Sequence, residues 1–336
     1  MKKIIYLFLL TLCAACNNEV LNSNHGDMQE EKYGVASVAI RHEAAVTKAL
    51  TDYVEVLDVE EAVNSIAVFV FDNDSGVLNA YKELDSIYDD CVFSVTTGEK
   101  AVYVVINGPD LSYVMDIDQL EQIADDLSVS DIHSDGLVMV GREIFEVESD
   151  EVVEPVVVVR RLVSRVVVTK ITNNLPPQYG TLSVDCVYLG NASSVQTYSG
   201  DVSEMVNPDG YEDSYKNRPI GKDGVTGACS GYMYRAVDTL IDTEDSDYGT
   251  HHLYCHPNGD DYMTCLYLLT TINGDQYYYR VPLYNGMSAN TTCSVELEIV
   301  NLGSSLPPDG DFQKGEIRAT ISISGWDAGE NYVVEF

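Results

Sequence analysis

The feature that most constrains the fold of this chain is a series of short apolar runs with turn residues between them. Residues Val63–Phe71 read VNSIAVFVF, a turn sequence follows at Asp72–Gly76, and a second run covers Val77–Tyr81. Two such runs joined by a short stretch rich in Asp, Asn and Gly are typical of a β-hairpin. Further runs of this kind are Val35–Ile40, Cys91–Thr96, Ala101–Ile106, Leu137–Val140, Glu143–Val147, Val156–Val159, Leu162–Ile171, Thr181–Leu189, Tyr262–Ile272, Gln276–Leu283, Thr292–Val300 and Glu316–Ser324. Short strands at this spacing predict a mostly β fold, with two β-sandwich domains in tandem.

Composition limits the partners that the chain can have. Its 336 residues are 45% hydrophobic and 22% charged, which suits one large folded domain or two ordinary ones. The 19 Lys and Arg against 54 Asp and Glu give a formal net charge of −35. A surface this negative repels phosphate groups, which argues against nucleic acid and anionic lipid headgroups as partners.

One segment has a helical period instead of a strand pattern. Between Asp116 and Leu127, apolar side chains recur on one face of a helix, and Asp116 is a suitable N-cap residue. We therefore predict a helix of about three turns there, and one or few short helices in the whole fold.

The first fifteen residues have the pattern of an export signal. Basic residues at the start precede the apolar run Ile4–Leu12, and the sequence Leu12-Cys13-Ala14-Ala15-Cys16 follows. Small residues before a cysteine resemble a bacterial lipobox, which predicts cleavage between Ala15 and Cys16 and acylation of Cys16. The alternative is an ordinary secretory signal that is cut near Ala15.

We expect the chain after the signal peptide to divide into two domains near Arg160 and Arg161, which interrupt its most apolar region. We predict a signal peptide at residues 1–15, a polar tether at 16–32, an N-terminal domain at 33–159 and a C-terminal domain at 160–336.

Catalytic motifs are absent from the sequence. There is no G-x-S-x-G, H-E-x-x-H, P-loop or G-x-G-x-x-G sequence, so we predict a protein that is not an enzyme and needs no cofactor. The histidines at 251, 252 and 256 with Cys255 form the only His cluster, but no second pair at zinc spacing accompanies them. We interpret this cluster as part of a polar loop and predict no metal site.

Five blocks of sequence together resemble a known family. They are the lipobox with its tether, Val63–Asp72, Arg161–Val168, the pair Tyr277–Leu283 and Asn290–Val295, and Leu302–Pro308 followed by a strand that ends at Trp326. In their order and spacing they are similar to the fimbrillins of type V pili, the FimA/Mfa-like family of Gram-negative anaerobic bacteria. Cys293 stands where the family often has an aromatic residue, and Ala289 where it often has Arg.

This resemblance implies two transthyretin-like β-sandwiches and assembly by strand donation. Family members are exported as lipidated precursors to the outer membrane, and an Arg- or Lys-directed, trypsin-like protease then removes the N-terminal segment with its first strand. The groove that this leaves accepts C-terminal strands from another subunit. The expected partners are therefore copies of this chain or related pilus subunits, together with a host or bacterial surface ligand, and the expected location is a surface-exposed fimbrium.

On this sequence, the resemblance places the roles at particular residues. Arg41 is the expected processing site because it follows the strand-like run Val35–Ile40, and Lys48 is the alternative. The expected donor side chains alternate along the last two strands: Ile317, Ala319, Ile321, Ile323, Tyr332, Val334 and Phe336.

Two other functions fit the same sequence. A lipid-retaining anchor, or a tip adhesin of the same pilus, would keep its acylated Cys16 or lack a donor strand. A surface glycan-binding lipoprotein or enzyme would instead use the aromatic residues between Tyr198 and Tyr234 to stack on sugars.

Overall fold

The computed structural model describes most of the chain after the predicted tether. The described residues are 32–42, 57–127, 136–190, 192–193, 195–199, 232–257, 264–283, 287–306, 317–326 and 328–335. The predicted signal peptide, Ala15, Cys16, Lys48 and Phe336 lie outside the described residues.

Strands dominate these residues, and helices are short. The helices are α1 (Asp58–Glu61), α2 (Ile117–Glu121) and a 3₁₀ turn at Pro177–Tyr179. The strands are β1 (Tyr33–Ser37), β2 (Ala39–His42), β3 (Ile66–Asp72), β4 (Leu78–Leu84), β5 (Val92–Thr96), β6 (Gly98–Ile106), β7 (Ala124–Asp126), β8 (Met139–Val147), β9 (Val152–Val153), β10 (Val156–Arg161), β11 (Ser164–Asn173), β12 (Leu182–Gly190), β13 (Val195–Thr197), β14 (Tyr234–Ile241), β15 (Ser246–Asp247), β16 (His251–Cys255), β17 (Cys265–Ile272), β18 (Asp275–Pro282), β19 (Thr291–Ile299), β20 (Ile317–Gly325) and β21 (Ala328–Glu335). This confirms the predicted mostly β fold with short helices.

The N-terminal half is a sandwich of two sheets. A three-stranded sheet in the order β5-β1-β9 faces a six-stranded sheet in the order β2-β10-β8-β6-β3-β4. The hairpin predicted at Val63–Tyr81 is present as β3 and β4. Every second residue of these strands points into the core between the sheets, where Val68, Phe93, Val104 and Val157 are buried.

The C-terminal half repeats this architecture with different strands. One sheet has the order β15-β11-β19-β20-β21, with β16 also paired to β11, and the facing sheet has the order β14-β12-β17-β18. The core between them is the largest of the protein and includes Val166, Leu268, Val295 and Trp326.

Several contacts join the two halves. The chain crosses from one sandwich to the other between β10 and β11, with only Leu162 and Val163 between these strands. Strand β7 of the first half pairs with β13 of the second, and Tyr198 packs into the cluster on the outer face of the six-stranded sheet. Residues 32–336 therefore form one packed unit. The domain boundaries at 159 and 160 stay a prediction.

The predicted helix at Asp116–Leu127 is wrong in its length. Asp116 does cap α2, since its carboxylate accepts a hydrogen bond from the backbone N–H of Gln119 at 2.8 Å. The helix ends at Glu121, however, and Ala124–Asp126 form β7. The ladder to β13 supplies backbone partners from a distant segment, and these outweigh the local helical period.

The predicted polar loop at the His cluster is also wrong. Residues His251–Cys255 form β16, which pairs with β11 along five residues. His252 and His256 are buried. Among the residues that the structure describes, no three His, Cys, Asp or Glu side chains are grouped to hold a metal ion.

A membrane-spanning helix is not found in the described ranges, where no helix is both long and apolar enough to cross a bilayer.

The cysteines of the described residues are buried thiols. They are Cys91, Cys186, Cys255, Cys265 and Cys293. Burial raises the pKa of the Cys91 thiol to about 11 and that of the Cys293 thiol to about 12, which keeps the unreactive protonated form at neutral pH.

We therefore expect these thiols to react with a disulfide reagent such as DTNB only after unfolding. In a chain without its signal peptide, a Cys16→Ser, Cys229→Ser double variant removes the two remaining thiols, both of which lie outside the described residues. This variant should show almost no thiol reaction in native buffer and full reaction in denaturant. Fast reaction of the native double variant would contradict the burial.

Candidate functional site

The first described segment pairs with strands of both sheets of the N-terminal half. We call residues Tyr33–His42, which comprise β1 and β2, the N-terminal ribbon. β1 pairs with β5 on one side and with β9 on the other, and β2 pairs with β10 at the edge of the six-stranded sheet. The ribbon therefore satisfies backbone groups of three other strands, and without it those strands would present open edges.

Side chains of the ribbon fill the core in alternation. Ala36, Val38 and Ile40 are 0%, 6% and 9% exposed and pack in the N-terminal core. A Cβ atom at Gly34 would lie 2.5 Å from Val147 Cγ1 and 2.7 Å from the Glu148 carbonyl oxygen. The seat of the ribbon is thus too tight at Gly34 for any side chain.

The predicted processing residue lies at the accessible end of the ribbon. Arg41 is exposed, and within β2 it stands opposite Val158 of β10. Because β2 is an edge strand, a protease has one free side from which to approach. The prediction that Arg41 or Lys48 is cleaved stays a prediction.

The predicted donor residues lie on the last hairpin. Strand β20 is between β19 and β21, and β21 is the edge strand. Ala319 and Ile321 are buried in the C-terminal core, while Ile317 and Ile323 pack against it in part. In the backbone register Tyr332 stands opposite Ile323 and Val334 opposite Ile321. The donor role of these residues stays a prediction.

A buried charged cluster lies where the two halves meet. Glu60 of α1 is completely buried, and its Oε2 accepts a hydrogen bond at 2.5 Å from Arg165 Nη1 of β11, which is also buried. The Tyr254 hydroxyl donates to Glu60 Oε1 at 2.5 Å, and His252 Nδ1 lies 3.3 Å from the same oxygen. The backbone carbonyl of Glu60 accepts from Arg161 at 3.0 Å and 3.2 Å.

The surroundings of Glu60 determine its ionisation. Burial by itself would raise the pKa of this carboxyl. The hydrogen bond with His252, the charge of Arg165 and the hydrogen bond from Tyr254 outweigh burial, so the pKa of Glu60 is lower than normal. The carboxylate is therefore charged at neutral pH and compensates the buried guanidinium groups.

The same arginines hold the tryptophan at the end of β20. The guanidinium carbons of Arg161 and Arg165 lie 4.8 Å and 4.4 Å from the centre of the Trp326 ring, and the Tyr254 ring stacks at 6.1 Å. The Trp326 backbone N–H also donates to the Asn290 carbonyl at 2.8 Å. We call Glu60, Arg161, Arg165, Tyr254 and Trp326 the Trp326 clamp.

A second buried ionisable pair lies at the same junction. His256 Nε2 lies 3.2 Å from Asp125 Oδ2, and both side chains are buried. His252 and His256 thus contact acidic residues of the N-terminal half, and each histidine packs at the junction rather than in a loop.

Sequence reasoning found some of these residues and missed others. Arg161 and Arg165 interrupt an apolar run, and buried arginines need an acidic partner. With 54 acidic residues in the chain, no local signal marks Glu60 as that partner.

Comparisons with known proteins give a structural likeness. No family model matches the chain, and no curated protein matches it. A protein from Bacteroides eggerthii that is provisionally assigned to cell adhesion has 17% identity and a TM-score of 0.62, with 88% of this chain and 96% of that chain covered. A protein from Parabacteroides distasonis with the same assignment has 17% identity and a TM-score of 0.60, with 88% and 98% covered. A fimbrilin from Porphyromonas gingivalis has 12% identity and a TM-score of 0.60, with 89% and 99% covered.

The chain has a fimbrillin-like fold. The likeness covers both sandwiches, since almost the whole of each solved chain is matched. This fimbrillin-like fold places the N-terminal ribbon and the β20–β21 hairpin in different halves of one unit, with the Trp326 clamp between the halves.

Replacing the charge of Glu60 should destabilise the chain. A Glu60→Gln variant keeps the size of the side chain but removes the carboxylate that pairs with the buried guanidinium group of Arg165. We expect a loss of about 3–5 kcal/mol in the free energy of unfolding, measured by chemical denaturation. The matched control Glu61→Gln changes an exposed neighbour and should alter the free energy by less than about 0.5 kcal/mol. Equal stability of the two variants would mean that the carboxylate of Glu60 makes no net contribution to the free energy of unfolding.

Proposed function

We propose that the chain is a structural subunit of a cell-surface fimbria. In this proposal it is exported as a precursor lipidated at Cys16, trimmed by an Arg- or Lys-specific protease, and polymerised by β-strand donation between subunits. It serves adhesion as part of a surface filament at the outer membrane, and it is not an enzyme. The fimbrillin-like fold supports this role, and the solved fimbrilin with the same fold is a pilus protein by its name.

The position of the N-terminal ribbon carries the proposal. The ribbon supplies a middle strand to one sheet and an edge strand to the other, and it ends beside an exposed basic residue, Arg41. A cut there would separate the ribbon from the rest of the chain. Its departure would leave a groove between β5 and β9 that is lined by apolar side chains and unpaired backbone groups, which suits an added strand.

The sequence of β20 fits the groove. Residues Ala319–Ile323 read ATISI, and residues Ala36–Ile40 of the ribbon read ASVAI. Alanine, a β-branched residue and isoleucine occupy the inward positions in both, and small residues alternate with them. The match begins at Ala319, since Ile317 would fall at Gly34, where a Cβ atom does not fit.

Trimming and assembly can be tested on the purified full-length chain. Treatment with a trypsin-like protease should give a new N-terminus at His42 and a ladder of SDS-stable oligomers. An Arg41→Gln variant should start at Ala49 instead or stay uncut, and an Arg41→Gln, Lys48→Gln double variant should stay uncut and monomeric. N-terminal sequencing and denaturing gels give the two readouts.

The alternatives are separate outcomes of this test. A chain cut at Arg41 that loses the ribbon but stays monomeric would contradict polymerisation by strand donation. Protein isolated from cells with an acylated Cys16 and an uncut Arg41 would indicate the lipid-retaining anchor.

A further inference from the structure

The Trp326 clamp contacts the β20–β21 hairpin, which is the donor segment in the proposed function. Trp326 directly follows β20 and precedes β21, so it lies at the turn between the two strands. Its ring is 5% exposed, and both its ring and its backbone N–H have partners outside the hairpin. Strand β20 cannot leave its sheet as a whole without pulling this ring away from Arg161 and Arg165.

The clamp is held by an element that lies outside the C-terminal sheets. Glu60 belongs to α1, on the N-terminal side of β3, and it pairs with Arg165 while its carbonyl accepts from Arg161. Both arginines that cover Trp326 are thus oriented by the same glutamate. Because cation–π contacts depend on the position of the cation over the ring, the carboxylate of Glu60 acts on Trp326 through Arg165, and its backbone carbonyl acts through Arg161.

The hairpin has other contacts as well. β21 is an edge strand, and its ladder to β20 moves with the hairpin. On the other side, β20 depends on its ladder to β19 and on Ala319 and Ile321 in the core. The clamp adds buried charged side chains to these contacts, at the end of β20 next to the turn.

We propose that the Trp326 clamp is an autoinhibitory latch, which keeps the β20–β21 hairpin in its own sheet and sets the rate at which it becomes available to another copy of the chain. The latch rests on the proposed function for its role in assembly, but its effect on the hairpin is a property of the single chain. Opening it requires separation of the Trp326 ring from Arg161 and Arg165, and weakening Glu60 favours that separation.

Hydrogen exchange on the untrimmed full-length chain tests the latch directly. In a Glu60→Gln variant, the amides of β20 and β21 should exchange on the order of a hundredfold faster than in the wild type, because a buried pair has lost one partner next to them. The amides of β6 and β17 should exchange only through global unfolding, with a free energy of exchange that stays above that of β20 and β21 in every variant. The chain has one tryptophan, so the fluorescence of Trp326 should also shift to longer wavelength.

A Trp326→Leu variant removes the ring but keeps an apolar side chain, and it should release the hairpin in the same way. Glu61→Gln is the control and should match the wild type.

Two results would overturn the latch: unchanged exchange in β20 and β21 in both variants, or exchange of β20 and β21 only through global unfolding, with the same free energy of exchange as β6 and β17. The link to assembly is tested by mixing each untrimmed variant with trimmed wild-type chain and measuring the rate of SDS-stable dimer formation, which should be at least about tenfold higher for Glu60→Gln. If trimmed wild type polymerises and the variants add no faster, the latch is wrong and the proposed function stands. If exchange is accelerated but trimmed wild type never polymerises, the latch stands and the proposed function is wrong.

Discussion

A buried carboxylate is stable only when cations and hydrogen-bond donors surround it, and Glu60 meets this condition at the junction of the two halves. Arg165 and Tyr254 hold its carboxylate, and Arg161 holds its carbonyl. These groups come from both sides of the crossing between β10 and β11. The junction therefore depends on one residue of a four-residue helix, since the buried Arg165 would otherwise lose its carboxylate partner.

The N-terminal ribbon depends on a different interaction, the pairing of its backbone with the edges of neighbouring strands. It is held by backbone hydrogen bonds and by small or β-branched side chains, and the described contacts of its core positions are apolar. A segment of this kind can be replaced by another strand of similar shape, because backbone pairing does not depend on side-chain identity. Its seat and the Trp326 clamp thus have complementary properties. In the proposed assembly, the first accepts a replacement strand, and the second opposes movement of the hairpin that supplies it.

Local sequence patterns predicted most strands but failed where distant segments compete. The hairpin β3–β4 and the strands β6, β12 and β17 follow from apolar runs and turn residues. The helical period at Asp116–Leu127 is a local pattern, yet Ala124–Asp126 form strand β7 because they pair with β13. The histidines at 251, 252 and 256 resembled a polar loop because Glu60 and Asp125, which lie beside His252 and His256, are far away in the sequence.

The sequence by itself determined the mostly β fold, the alternation of the N-terminal ribbon and of β20, and the basic residue at the end of the ribbon. These properties depend on residues within a few positions of each other, and strand period and turn chemistry act at that range. Only the tertiary structure decided which of many acidic residues meets Arg165, and that Trp326 lies over two guanidinium groups. Glu60 and Arg165 are 105 residues apart, and the selection of such a pair is made by the packing of two sandwiches against each other, for which no local pattern exists.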